Sequence, residues 1–134
     1  MIYLKEYIVA VVVFFLIDML WLGVIAKDLY AKELGHLLTS NINWVAAIIF
    51  YLLFVVGIVF FVIHPAIEKN SLNYAIVAGL LFGFMTYATY DLTNLATLKD
   101  WPLKIVFIDI AWGSFLSASV SVVTYYVLNI LKWF

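Results

Sequence analysis

Cysteine and arginine are both absent from the chain, and charge of either sign is scarce. Without cysteine there is no disulfide, no thiolate metal site and no cysteine nucleophile. Seven lysines stand against eight acids, for a formal charge of −1, and they form no basic stripe; nucleic acid is therefore excluded as a partner. Charged residues are 11% of the 134, against about 25% in soluble domains. Apolar residues supply 68%, and mean hydropathy is +1.16. A soluble globule of 15.3 kDa could not hide that much apolar surface, because small domains leave a large share of their surface exposed.

Four long apolar runs carry the hydropathy: residues 7–26, 44–63, 74–98 and 105–131. Each has at least the ~20 residues a helix needs to cross a hydrocarbon core about 30 Å thick. Backbone groups in that solvent must satisfy one another, so each run is expected to be a helix. The expected fold is all-α, an integral membrane four-helix bundle with antiparallel neighbours and both termini on the same side. A single four-span domain covers 1–134, with helices at about 4–26, 44–63, 74–98 and 103–131. The first run is too long for a secretion signal, contains Asp18 and lacks a small-x-small cleavage site; it reads as a retained helix.

The connections carry helix punctuation. Gly35 breaks the longest, between 27 and 43, and Thr39, Ser40, Asn41 and Asn43 are available to cap the second helix. His64-Pro65 is expected to end that helix, since proline disfavours helical geometry in the residue before it. Pro102 suits the first turn of the fourth helix. Lys5, Lys69, Lys132 and the amino terminus fall on one side, against Lys27, Lys32, Lys99 and Lys104 on the other. The positive-inside rule is tied by that division. Trp44, Trp101, Trp133, Tyr3 and Tyr30, near span ends, fit interfacial anchors.

The informative residues are three acids inside the runs: Asp18, Asp91 and Asp109. A carboxylate at membrane depth costs roughly 2.5–3.5 kcal/mol on insertion scales, which marks it as a functional candidate. Distances from the run ends place all three on the order of 6–12 Å deep, in one half of the membrane. No lysine or histidine lies within these runs to neutralise them, so at least one is expected to hold a proton near neutral pH, Asp91 first. Trp21 lies three residues after Asp18 and Trp112 three after Asp109, a spacing that shares a helix face. Tyr87, Tyr90, Asp91 and Asn94 form one stripe of the third run. The expected ligand-binding set is therefore Asp18, Trp21, Tyr87, Tyr90, Asp91, Asn94, Asp109 and Trp112, around a shared polar pocket. Asp109, Gly113, Ser117 and Ser121 recur every four residues and read as a packing edge.

The segment Tyr87-Ala-Thr-Tyr-Asp-Leu-Thr-Asn-Leu-Ala-Thr-Leu-Lys-Asp-Trp-Pro102, together with Asp18-Met-Leu-Trp-Leu-Gly23, Phe50-Tyr51, Pro65 and Asp109-Ile-Ala-Trp-Gly113, resembles a bacterial membrane family, domain of unknown function 2177. The resemblance runs through the whole chain. It implies a protein of the bacterial cytoplasmic (inner) membrane and brings no activity with it.

Two classes of function fit the residues. One is binding, or proton-coupled transport, of a small apolar or amphipathic ligand. The other is a membrane-embedded enzyme acting on a lipid or isoprenoid chain, with Asp18, Asp91 or Asp109 as general acid or base. A non-catalytic accessory subunit is a third reading. No metal site is expected, because the runs hold no histidine and no Glu-x-x-His pair. No cofactor is expected either, since there is no phosphate loop or dinucleotide fingerprint. The expected partners are the lipid bilayer and a lipid or small apolar ligand, and a homo-oligomer is left open.

Overall fold

Each apolar run is helical, and no strand occurs among the described residues. The computed structural model describes residues 2–39 and 41–131; Ser40, Lys132, Trp133 and the amino terminus, read above as a cap, charges and an anchor, lie outside them. Helix α1 spans Ile2–Leu20 and widens into a π-helical turn, Trp21–Ile25. Short α2 (Lys27–Leu34) occupies the first connection. Helix α3 (Trp44–Ile58) passes through a second π turn, Val59–Ile63, into α4 (His64–Glu68). The long helices α5 (Leu72–Thr97) and α6 (Leu103–Leu131) complete the chain. Four segments are long and apolar enough to cross a bilayer: Tyr3–Ile25, Trp44–Glu68, Leu72–Thr97 and Leu103–Ile130.

The second helix does not end at His64-Pro65; it continues to Glu68. Proline at 65 has no N–H to offer the carbonyl of Phe61, four residues back. Tyr74 of α5 fills that role, its hydroxyl donating to the Phe61 carbonyl at 3.2 Å. The π turn absorbs the rest of the disturbance, with the His64 N–H reaching the Val59 carbonyl. The first connection is also more ordered than its polar sequence suggests. Asp28 in the first turn of α2 and Lys32 in its last both match the helix dipole. Asn43 caps α3 by accepting from the Ala46 N–H at 3.1 Å. Ser71 caps α5 by accepting from the Tyr74 N–H at 3.0 Å, starting that helix two residues before the expected boundary.

The main core joins Ala10 and Phe14 of α1, Val55 and Ile58 of α3, and Leu116, Val120 and Leu128 of α6. A smaller one under α2 packs Leu34 on Trp101, Ile105 and Val106. Trp101, read as an interfacial anchor, is thus a core residue. Outward faces stay apolar, with Leu16 and Phe107 each 69% exposed, as a hydrocarbon solvent permits.

Helices α5 and α6 make the closest backbone approach. A Cβ on Gly79 would stand 2.8 Å from the Ala118 Cα, and one on Gly83 would run into the Gly113 carbonyl and lie 2.8 Å from the Ser114 Cα. The order of these contacts means that the two helices run in opposite senses. Small residues let the backbones meet, and the Tyr87 ring lies over the bare Gly113 backbone. This seam sets how far α5 holds Asp91 from Asp109 of α6.

Candidate functional site

Along α1 the buried positions recur every four residues: Glu6, Ala10, Phe14 and Asp18 are all 4% exposed or less. That spacing keeps them on one face and turns Asp18 inward. Asp91 and Asp109 are buried as well, at 0% and 7% exposure. Asp109 is the middle member, an electrostatic neighbour of both Asp18 and Asp91. Asp109 of α6 thus lies between Asp18 of α1 and Asp91 of α5.

What surrounds each acid differs. The α1 π turn closes with the Ala26 N–H on the Trp21 carbonyl at 2.7 Å, and the chain then reverses into α2. That reversal brings Tyr30 back to the bundle. Its hydroxyl donates to Asp109 Oδ1 at 2.7 Å and accepts from the Trp21 indole N–H at 3.2 Å. Burial and the adjacent Asp109 carboxylate push the Tyr30 phenol upward from its ordinary value, so it remains a donor at physiological pH. Tyr30 is thus a first partner of the site and not the interfacial anchor its position suggested. Trp21 and Trp112 stack with centroids 4.3 Å apart and planes 9° from parallel. Trp112 is also the donor nearest the Asp18 carboxyl, although no hydrogen bond of standard geometry joins them. The two oxygens of Asp91 accept no N–H or O–H hydrogen bond; the neighbouring group is the Asp109 carboxyl, close enough to share a proton with it.

A cavity of about 380 Å³ opens among these groups, within the range of small-ligand sites. Of the expected residues, Asp18, Trp21, Tyr87, Tyr90, Asp109 and Trp112 line it. Asp91 and Asn94 do not: Asp91 reaches the cavity only through Asp109, and Asn94 is half-buried beside Tyr90. Tyr90 itself is largely exposed and sits edge-on to Trp101. The sequence reading missed Leu22, Tyr30, Phe50, Tyr51 and Thr86, which complete the wall. Phe50-Tyr51 was visible as part of the resemblance, and Tyr51 packs on Phe14, one turn before Asp18. Tyr30 carried no local signal, since only the chain reversal after Ala26 brings it near Asp109.

A family model described as a predicted membrane protein (DUF2177) matches residues 3–126. The chain belongs to that family. The DUF2177 match takes in all three acids and every aromatic residue of the cavity wall. No curated protein and no solved structure matches the chain.

This DUF2177 chain also holds a second ionisable cluster that corrects the sequence reading. Glu6 and His64 both lie inside spans, one residue beyond the apolar runs that defined them. Glu6 is fully buried, and both its oxygens lie within 3.0 Å of His64 Nδ1. His64 Nε2 meets Glu68 at 2.9 Å, and Tyr3 stacks on the imidazole at 4.0 Å. The signal was present in the four-residue stripe that runs from Asp18 back to Glu6. His36, on the side of the three acids, does not join them; its Nε2 contacts the Asp100 carbonyl at 3.0 Å and ties the first connection to the third.

Proposed function

We propose that the acidic, aromatic cavity binds a small amphipathic ligand from the membrane and that binding is coupled to a proton on the carboxyl cluster. The observation that carries this reading is the hydrogen bonding of the acids. Polar residues that merely hold a membrane bundle together do so by bonding across helices. Asp91 is fully buried and accepts from no N–H or O–H donor, its neighbour being another carboxyl, while Asp18 lines a cavity without a bonded donor. Each acid costs roughly 2.5–3.5 kcal/mol to place at membrane depth, and apolar side chains would pack the same space at no such cost. Two adjacent buried carboxyls disfavour double ionisation, so one proton is shared over the cluster in this reading. The family resemblance adds the bacterial cytoplasmic membrane as the setting, with the bilayer as the source of the ligand.

The test uses the full chain in lipid nanodiscs with N-phenyl-1-naphthylamine, a neutral probe excited by tryptophan emission. Energy transfer from Trp21 and Trp112 should show a saturable component above lipid partitioning. Thr86→Phe, which fills the cavity wall, should remove it. The saturable affinity should vary with pH in the wild type and be flat in Asp91→Asn, which should keep its helical content. Identical titrations for wild type and Thr86→Phe would defeat the proposal.

A further inference from the structure

We infer that the ligand is a monovalent organic cation with an apolar body, such as a lipophilic amine or quaternary ammonium compound. This rests on the ligand-binding reading above and narrows it to one chemical class. The cavity offers negative charge and no opposing cation: two carboxylates line it, and no lysine or histidine does. Among the described residues, the ion pairs found join His64 to Glu6 and Glu68, and Lys104 to Glu33; none involves Asp18, Asp91 or Asp109.

Two donors of the site are already committed. The Trp21 N–H goes to Tyr30 and the Tyr30 O–H to Asp109. A phenol donating to a carboxylate favours its charged form. Opposite it, the Asp18 carboxyl is 4% exposed, faces the cavity and accepts no hydrogen bond of standard geometry. An anionic ligand would be repelled by the carboxylates that line the cavity. A neutral ligand would bring no counter-charge to the carboxyls of the wall.

The walls complete the argument. The stacked indoles of Trp21 and Trp112, with the Tyr51 and Tyr87 rings, present aromatic surface beside the acids. The negative face of an aromatic ring attracts an organic cation, most strongly where water is excluded. A metal ion would gain little from such walls, and no group of described residues is suited to hold one. Carboxylates on one side and aromatic rings on the others instead match a charged nitrogen attached to a hydrocarbon body.

The experiment compares benzyltrimethylammonium with neopentylbenzene, which replaces the charged nitrogen by carbon at the same shape. Each is used to displace N-phenyl-1-naphthylamine from the wild-type chain in nanodiscs. The cation should compete at least about tenfold more tightly than its isostere. Asp18→Asn should lower the competition of the cation about tenfold and leave that of neopentylbenzene unchanged. If neopentylbenzene competes as well as the cation, the cation assignment is overturned and the ligand-binding reading stands. A saturable probe that neither compound displaces overturns the assignment as well. A wild-type chain with no saturable probe binding fails the earlier reading first. The wild-type comparison needs no variant, so misfolding of Asp18→Asn would leave the decision intact.

Discussion

Replacing Gly83 by alanine should push α5 away from α6 and loosen the two acids that their seam holds together. The new Cβ would collide with the Gly113 carbonyl and stand 2.8 Å from the Ser114 Cα. Carbon pairs settle at about 3.5–4.0 Å, so the backbones must part by roughly 1 Å. Both obstacles are main-chain atoms within a helix, and neither can rotate away. A gap of that size forfeits a quarter to a half of the dispersion energy of each contact along the seam. Overpacking of this kind costs about 1–3 kcal/mol; because the clash is backbone on backbone, the upper part of that range is expected. A loss of about 2–3 kcal/mol is roughly a 30- to 150-fold change in the folding equilibrium.

The control is Gly23→Ala in the π turn, where an added Cβ meets nothing within 4 Å. Helix propensity alone should make that variant neutral or more stable by up to about 1 kcal/mol. Reversible unfolding by dodecyl sulfate in mild-detergent micelles, followed by far-ultraviolet circular dichroism, measures both. The seam argument fails if Gly83→Ala unfolds with the wild type, or if Gly23→Ala loses as much stability as Gly83→Ala.

Two more predictions concern the polar contacts. His64→Ala leaves the fully buried Glu6 without its partner and should cost about 3–5 kcal/mol; adding Glu6→Leu to that variant should recover part of the loss, and simple additivity in the same unfolding assay would contradict the pairing. Tyr30 has its phenol raised above the ordinary 10.0, so the stability it contributes is complete below that value and is lost as pH rises and the unfolded-state phenol ionises. Unfolding measured from about pH 9 to about pH 11 should therefore fall more steeply for the wild type than for Tyr30→Phe, and equal slopes would refute the buried Tyr30–Asp109 contact.

Hydropathy made the spans legible because membrane thickness imposes a length on every crossing helix. The depth of the three acids was legible for the same reason, since residue number along a helix converts directly to distance. Trp21 and Trp112 followed from three-residue spacing, which is local. The misses are tertiary. Tyr30 reaches Asp109 across 79 positions, through a reversal that no short pattern encodes. The continuation past Pro65 depends on Tyr74, a donor from another helix. Glu6 escaped because the apolar run was cut one residue too late, although the four-residue stripe of α1 extends to it.

That stripe sets two buried acids on one face of α1, twelve residues and about 18 Å apart, and the bundle treats them differently. Glu6 receives His64, and the imidazole is held in turn by Glu68 and the Tyr3 ring. Its carboxyl is thus partnered from within the protein, in a contact that ties α1 to α4. Asp18 receives no cation and faces a cavity. Both lie in the same low-dielectric setting, where an unanswered charge is expensive, so packing alone does not account for the second arrangement. Among the described residues, a histidine partners the buried carboxyl at one end of α1 and none partners that at the other. The counter-charge missing at the other end therefore favours a ligand that brings it, and a chain given a histidine at Thr86 should bind benzyltrimethylammonium more weakly as pH falls and the imidazole becomes charged.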